Sequence, residues 1–271
     1  MFEWFSNLNY VIQALIATIF TWGVTAIGAS IVFLFKKVNK NIMDAMLGFA
    51  AGVMIAASFW SLLSPSIEMS ESLGMNSWIV ASIGFLLGGI LLFAGDKIFD
   101  NKLKKTSKVK DSENNDNKFK RCLMLIFSIT LHNIPEGLAV GIAFGSIAYN
   151  LEGATLASAI ILAIGIGLQN FPEGSAVSLP LRREGLSRKK AFFFGQLSAI
   201  VEPIAGVIGA ILVLRARYLL PYLLAFAAGA MIYVVIEELI PQSQSNKKKD
   251  LMALFTLIGF AVMMIMDVAL G

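Results

Sequence analysis

Two nine-residue stretches of this 271-residue chain repeat each other at an offset of 37. HNIPEGLAV occupies 132–140 and QNFPEGSAV occupies 169–177, with six of nine positions identical. Each sets a polar pair, a proline and a glutamate in an apolar surrounding. On a helix turning about 100° per residue, His132 and Glu136 fall roughly 40° apart, and Asn133 shares their side. Gln169, Asn170 and Glu173 repeat that arrangement. Glu202, also followed by a proline (Pro203), adds a third carboxylate. One imidazole, three carboxylates and three amide oxygens are mixed nitrogen and oxygen donors. They suit Zn²⁺, Fe²⁺, Mn²⁺, Co²⁺ or Cd²⁺, and carboxylates can bridge two ions.

The rest of the chain narrows the chemistry. His132 is the only histidine and Cys122 the only cysteine. That excludes a histidine-rich cage, a thiolate cluster and an intramolecular disulfide. An intramembrane metal-dependent hydrolase is disfavoured, because HExxH is absent and no second histidine exists to complete it. The chain is therefore read as a non-enzyme, with no cofactor and with Zn²⁺ or another divalent cation as substrate. A proton-driven carrier, with the glutamates as proton sites and a non-metal solute, stays open on the residues alone.

These residues must be positioned by membrane helices. The chain is 57% hydrophobic and 15% charged, with mean hydropathy +0.74. A soluble domain is nearer half apolar and a quarter charged. Eight apolar segments run roughly over 8–35, 42–64, 78–100, 121–147, 154–181, 188–214, 220–242 and 250–270. At about 20 residues per span they leave no room for a separate soluble domain. The expectation is one all-α, polytopic transmembrane domain over 1–271. The first segment lacks a basic start and is too long for a cleaved signal peptide.

Lysine and arginine fix the expected orientation. The loops after spans 1, 3, 5 and 7 hold 20 of the 22 such residues; Arg215 and Arg217 are the exceptions. That bias places those loops in the cytoplasm and both termini outside. It also removes the net charge of +4 as a sign of nucleic-acid binding; no nucleic-acid partner is expected. The polar stretch 101–120 reads as a flexible cytoplasmic loop.

The three glutamates matter energetically. A buried ionisable side chain costs about 2.5–3.5 kcal/mol on insertion scales. Spans 4, 5 and 6 carry no interior lysine or arginine to offset it. The balancing charge must come from protons or metal ions. Pro135 and Pro172 each remove a backbone hydrogen bond, freeing the carbonyls of Leu131 and Leu168. Such carbonyls are tolerated where they line a polar cavity. Gly137 and Gly174 permit close helix approach.

At these motifs the sequence resembles the ZIP family of divalent metal transporters. HNIPEG (132–137) is similar to its first signature. QNFPEG (169–174) is similar to the second, with Gln169 where many members have histidine, a form resembling the prokaryotic GufA-like branch. GQLSAIVEPIAG (195–206) and YVVIEELIP (233–241) extend the likeness. The resemblance implies import of zinc, and of related ions such as cadmium, iron and manganese, through a binuclear mid-membrane centre. His132, Glu136, Gln169 and Glu173 would hold one ion. Asn133, Glu136, Asn170, Glu173 and Glu202 would hold or bridge the second. It further implies a homodimer in the bilayer of a bacterial inner membrane. An elevator-like motion would carry spans 1, 4, 5 and 6 past the others. Gln169 in place of histidine makes the site harder and richer in oxygen.

Further residues are candidates for the route. Asp44 near the inner end of span 2 could receive leaving metal, or be a solvated helix-start aspartate. Met54 and Ser61 lie on the same span; for Met54 simple packing is the alternative. Glu237 and Glu238 sit near the inner end of span 7. Adjacent acids cannot share a helix face, so one is expected toward the route and one toward an interface. Glu68, Glu71 and Glu152 sit on the outer side, where they could attract cations or be solvated loop acids, the plainer reading.

Overall fold

The structure, a computed structural model, describes residues 3–34, 39–107, 115–149 and 154–270. All regular structure among them is helical. A short helix α1 (Glu3–Ser6) leads into α2 (Tyr10–Leu34). Next come α3 (Lys40–Ala57) and α4 (Ser64–Ser72), joined by a π-helical segment, Ser58–Leu63. Then follow α5 (Ser77–Ser107), α6 (Asn115–Ser146) and α7 (Leu156–Arg183). The last helices are α8 (Arg188–Leu197), α9 (Val201–Arg215), α10 (Leu220–Val234), α11 (Ile240–Gln244) and α12 (Lys249–Leu270). A second π-helical segment, Val235–Leu239, joins α10 to α11.

Seven helical stretches among the described residues are long and apolar enough to cross a membrane. They coincide with every expected span except the fourth. That span falls on α6, part of whose side chains lie outside the described residues. The expected loop over 101–120 is entered by helix from both sides, since α5 runs to Ser107 and α6 starts at Asn115. Its centre, 108–114, lies outside the described residues, as does Glu152.

Prolines shape the spans in three ways. Pro135 and Pro172 sit inside α6 and α7 without ending them. Pro203 does end a helix. The span expected as one over 188–214 turns at Ser198–Ile200, with Ala199 N and Ile200 N bonding three residues back. Pro203 has no N–H to donate to the Ala199 carbonyl and its ring crowds that carbonyl, which accepts from Glu202 N at 3.0 Å instead. Pro65 and Pro241 each follow a π-helical segment. There the chain takes an extra residue per turn, with Ser64 N bonding Phe59 O and Ile240 N bonding Val235 O.

The helices pack as two blocks. In one, α2 lies along α7, α6 lies along α9, and α2 also meets α9; α8 belongs with them. In the other, α5 lies along α10 and α3 along α12. Glycines set the closeness within each block. A Cβ at Gly52 would lie 1.9 Å from the carbonyl oxygen of Thr256, and one at Gly88 2.0 Å from that of Phe226. Among the described glycines, each whose Cβ would come within 3 Å of another helix's backbone faces a helix of its own block. The blocks meet mainly where α3 packs on α7 and α10 on α6. Where α12 touches α7, Gly165 faces the thioether of Met263, a flexible side chain. The apolar faces of α5 and α12 (Leu86, Ile90, Leu91; Leu254, Leu257, Ile258) point away from the bundle, as a lipid-facing surface requires.

Candidate metal centre

The two repeated motifs face each other. His132, Asn133 and Glu136 on α6 and Gln169, Asn170 and Glu173 on α7 are all buried, as is Glu202 in the first turn of α9. Their approach depends on two glycines. A Cβ at Gly137 would stand 2.4 Å from the carbonyl oxygen of Glu202, and one at Gly174 2.1 Å from that of Thr25. Any side chain there would push α6 off α9, or α7 off α2, and spread the polar cluster. The helix break before Glu202 contributes as well. It leaves the Ser198 carbonyl to accept from Asn133 Nδ2 at 3.0 Å.

Hydrogen bonds orient the cluster. Gln169 Nε2 donates to Glu136 Oε1 at 2.8 Å. Asn170 Nδ2 lies 2.9 Å and 3.0 Å from the two oxygens of Glu202. The Thr21 hydroxyl donates to Glu202 Oε2. His132 Nδ1 sits 2.7 Å from Glu238 Oε2. Each donor is used in a way that turns lone pairs inward. Nine buried side-chain nitrogen or oxygen atoms among the described residues have no hydrogen-bond partner. Six of them are His132 Nε2, Asn133 Oδ1, Glu136 Oε2, Gln169 Oε1, Asn170 Oδ1 and Glu173 Oε1. Buried polar atoms are ordinarily satisfied, so six orphans on two facing motifs need a common explanation. All six can carry a lone pair, and a cation would satisfy them together.

Electrostatics point the same way. Glu136 repels Glu173 and Glu202, and Glu173 repels Glu202 and Glu238. The buried residues among those described include no lysine or arginine. No three histidine, cysteine, aspartate or glutamate side chains among the described residues stand close enough to cage an ion by themselves. An ion held here would have to draw these groups closer together and would use the amide oxygens beside them.

The other candidates are scattered. Asp44 is buried rather than solvated. Its carboxylate accepts from Asn246 Nδ2 and its carbonyl from the Ser243 hydroxyl, both at 2.7 Å, tying α3 to the α11–α12 turn. Met54 is wholly buried in the apolar core, alongside Leu62 and Ile166. Ser61, in the first π-helical segment, donates to Asp267 at 2.7 Å. Glu237 is exposed, while Glu238 turns inward to His132. A narrow cleft of about 20 Å³ is lined by His132, Glu173, Glu238 and Gln242, among others. It runs from the motifs toward the end of span 7.

Sequence reasoning missed Thr21, the Ser198 carbonyl and the pairing of Glu238 with His132, although it expected one of Glu237 and Glu238 to face the route. A signal for the first was present: Thr18, Thr21 and Thr25 recur at helical spacing on an otherwise apolar span, and all three are buried.

Comparison with known proteins agrees with the motifs. The family described as ZIP Zinc transporter matches residues 9–122 and 100–267. "Zinc transporter ZIP11" of Xenopus tropicalis is 41% identical, over 96% of this chain and 98% of its own length. "Zinc transporter GufA" of Myxococcus xanthus is 31% identical, over 95% and 98%. "Zinc transporter ZupT" of Streptococcus mutans is 33% identical, over 94% and 96%.

Proposed function

Because the chain belongs to the ZIP zinc transporter family, we propose that it carries zinc and related divalent transition-metal ions across a membrane into the cytoplasm. The ions would pass through a two-ion site between α6, α7 and α9. One observation carries this reading: six buried lone-pair atoms without partners on the two facing motifs. His132, Glu136, Gln169 and Glu173 hold one ion. Asn133, Glu136, Asn170, Glu173 and Glu202 hold the second, with Glu136 and Glu173 bridging. Oxygen-rich donors with a single imidazole accept zinc, cadmium, iron or manganese rather than zinc alone.

The layout follows from the charge pattern. Eight spans cross the membrane, α6 being the fourth, with both termini outside and the lysine-rich loops inside. The cleft lined by Glu173, Glu238 and Gln242 lies on the side of the motifs toward the end of span 7 that the charge pattern puts inside, and so serves release to the cytoplasm, with Glu238 as the receiving carboxylate. Backbone-tight packing inside each block, with side-chain packing between blocks, supports one block sliding on the other and carrying the ions. The protein works as a homodimer in a bacterial inner membrane.

The test is metal uptake into proteoliposomes by the wild type and by Glu173→Ala. Uptake should fall to background in the variant. Equal uptake would end the proposal.

A further inference from the structure

Glu202 differs from the other six residues of the site. None of its atoms is among the buried groups without partners. Both oxygens receive Asn170 Nδ2, and Oε2 also receives the Thr21 hydroxyl. Each of those donors has a second acceptor within reach, and both acceptors are backbone carbonyls of α2. The Thr21 hydroxyl has Thr18 O at 3.0 Å. Asn170 Nδ2 has Thr21 O at 3.2 Å. A hydroxyl has one proton and can serve one acceptor fully at a time. The carboxylate is the stronger acceptor while it carries its charge unshared.

We infer that Thr21 is a positioning residue. With Asn170 it holds the Glu202 carboxylate when no cation is at it, and turns to an α2 carbonyl when a cation takes its place. The exchange leaves every donor satisfied in both states. It sets how tightly the second ion is held. A cation at Glu202 competes with the Thr21 proton for the charge of the carboxylate, which weakens binding there and speeds departure. Without the hydroxyl, Oε2 would keep Asn170 Nδ2, with the Thr25 hydroxyl also at the carboxylate, but would have lost one donor, and an arriving ion would be held more tightly by the less-shared charge. Thr21 and Glu202 are both wholly buried, so water cannot stand in for the lost donor.

This inference rests on the two-ion reading above. Its test is calorimetric titration of the purified full-length protein with Cd²⁺, comparing wild type, Thr21→Val and Thr21→Ser. Valine keeps the shape of threonine and removes the hydroxyl; serine restores the hydroxyl. The expected result is two binding steps in the wild type. The weaker should strengthen about tenfold in Thr21→Val, the worth of one hydrogen bond to a charged group, and the stronger should not change. Thr21→Ser should follow the wild type. In uptake, Thr21→Val should lower KM and maximal rate together, whereas a merely structural defect would lower the rate alone. If Thr21→Val does not fold, Thr21→Ala carries the same expectation. A weaker step that is unchanged, lost or weakened in both hydroxyl-free variants overturns the inference, as does a serine variant that behaves like valine. A wild type with one step overturns the inference and leaves metal transport standing. A wild type with none overturns both.

Discussion

His132 Nδ1 and Glu238 Oε2 lie 2.7 Å apart, joining α6 to the π-helical segment of span 7. The contact crosses from one helical block to the other. It also settles which imidazole nitrogen faces the motifs. With Nδ1 on the carboxylate, Nε2 is left buried and without a partner, as are Glu136 Oε2 and Gln169 Oε1. A ligating histidine whose other nitrogen is held by a carboxylate has its ring orientation and tautomer fixed.

Removing that carboxylate should loosen the imidazole. Loss of such an outer partner typically lowers metal affinity 10–100-fold. Glu238→Ala should show a loss of that order in Cd²⁺ titration. Glu238→Gln, which still accepts through its amide oxygen, should lose less. Wild-type affinity in both variants would mean that Glu238 does not orient His132.

The two bridging carboxylates should behave differently from the third. Glu136→Gln removes a charge shared by both ions, so binding of both should weaken. Glu202→Gln should spare the ion held by His132, Glu136, Gln169 and Glu173. The stoichiometry of bound Cd²⁺ reads the difference. Loss of both ions on Glu202→Gln would show that the sites are not separable in this way.

Acid should weaken binding. Imidazole and carboxylates coordinate only when deprotonated, so protons compete with metal for the same lone pairs. Lowering the pH adds protons to the metal-free protein, and affinity falls. Zinc or cadmium affinity measured from pH 7.5 down to 5 should therefore drop. A flat profile would contradict the assigned ligands.

Much of the site was legible because its cause is local. The 37-residue repeat, the helical spacing of His132 and Glu136, and unpaired acids in apolar spans need only the chain's own periodicity. The glycines were legible too, as Gly137 on Glu202 and Gly174 on Thr25 bear out. What escaped depends on tertiary geometry. Pro203 breaks its span while Pro135 and Pro172 do not; a proline's consequence depends on what neighbouring helices do with the freed groups. Glu238 was recognised as a route residue, but its pairing with His132 joins positions over a hundred residues apart. Thr21 reads as an ordinary threonine until Glu202 is seen beside it.

The glycine pattern separates two kinds of contact, and paired substitutions should expose it. Gly52 and Gly165 are both helical glycines on the facing helices α3 and α7. A Cβ at Gly52 would sit 1.9 Å from the Thr256 carbonyl and 2.6 Å from Phe260 N, inside one block. Backbone of a packed helix cannot yield locally, so α3 and α12 must move apart. A Cβ at Gly165 would meet the Met263 sulfur at 2.4 Å, between blocks. Methionine has three rotatable bonds and can turn its thioether aside. Overpacking of this kind costs about 1–3 kcal/mol where the surroundings resist. Gly52→Ala should fall at or above the upper end and lower the unfolding temperature markedly in detergent. Gly165→Ala should fall well below it. Thermal unfolding of the two purified variants decides the matter. Equal loss in both would mean that the boundary between blocks is packed as rigidly as their interiors, and a sliding motion along it would have no structural basis.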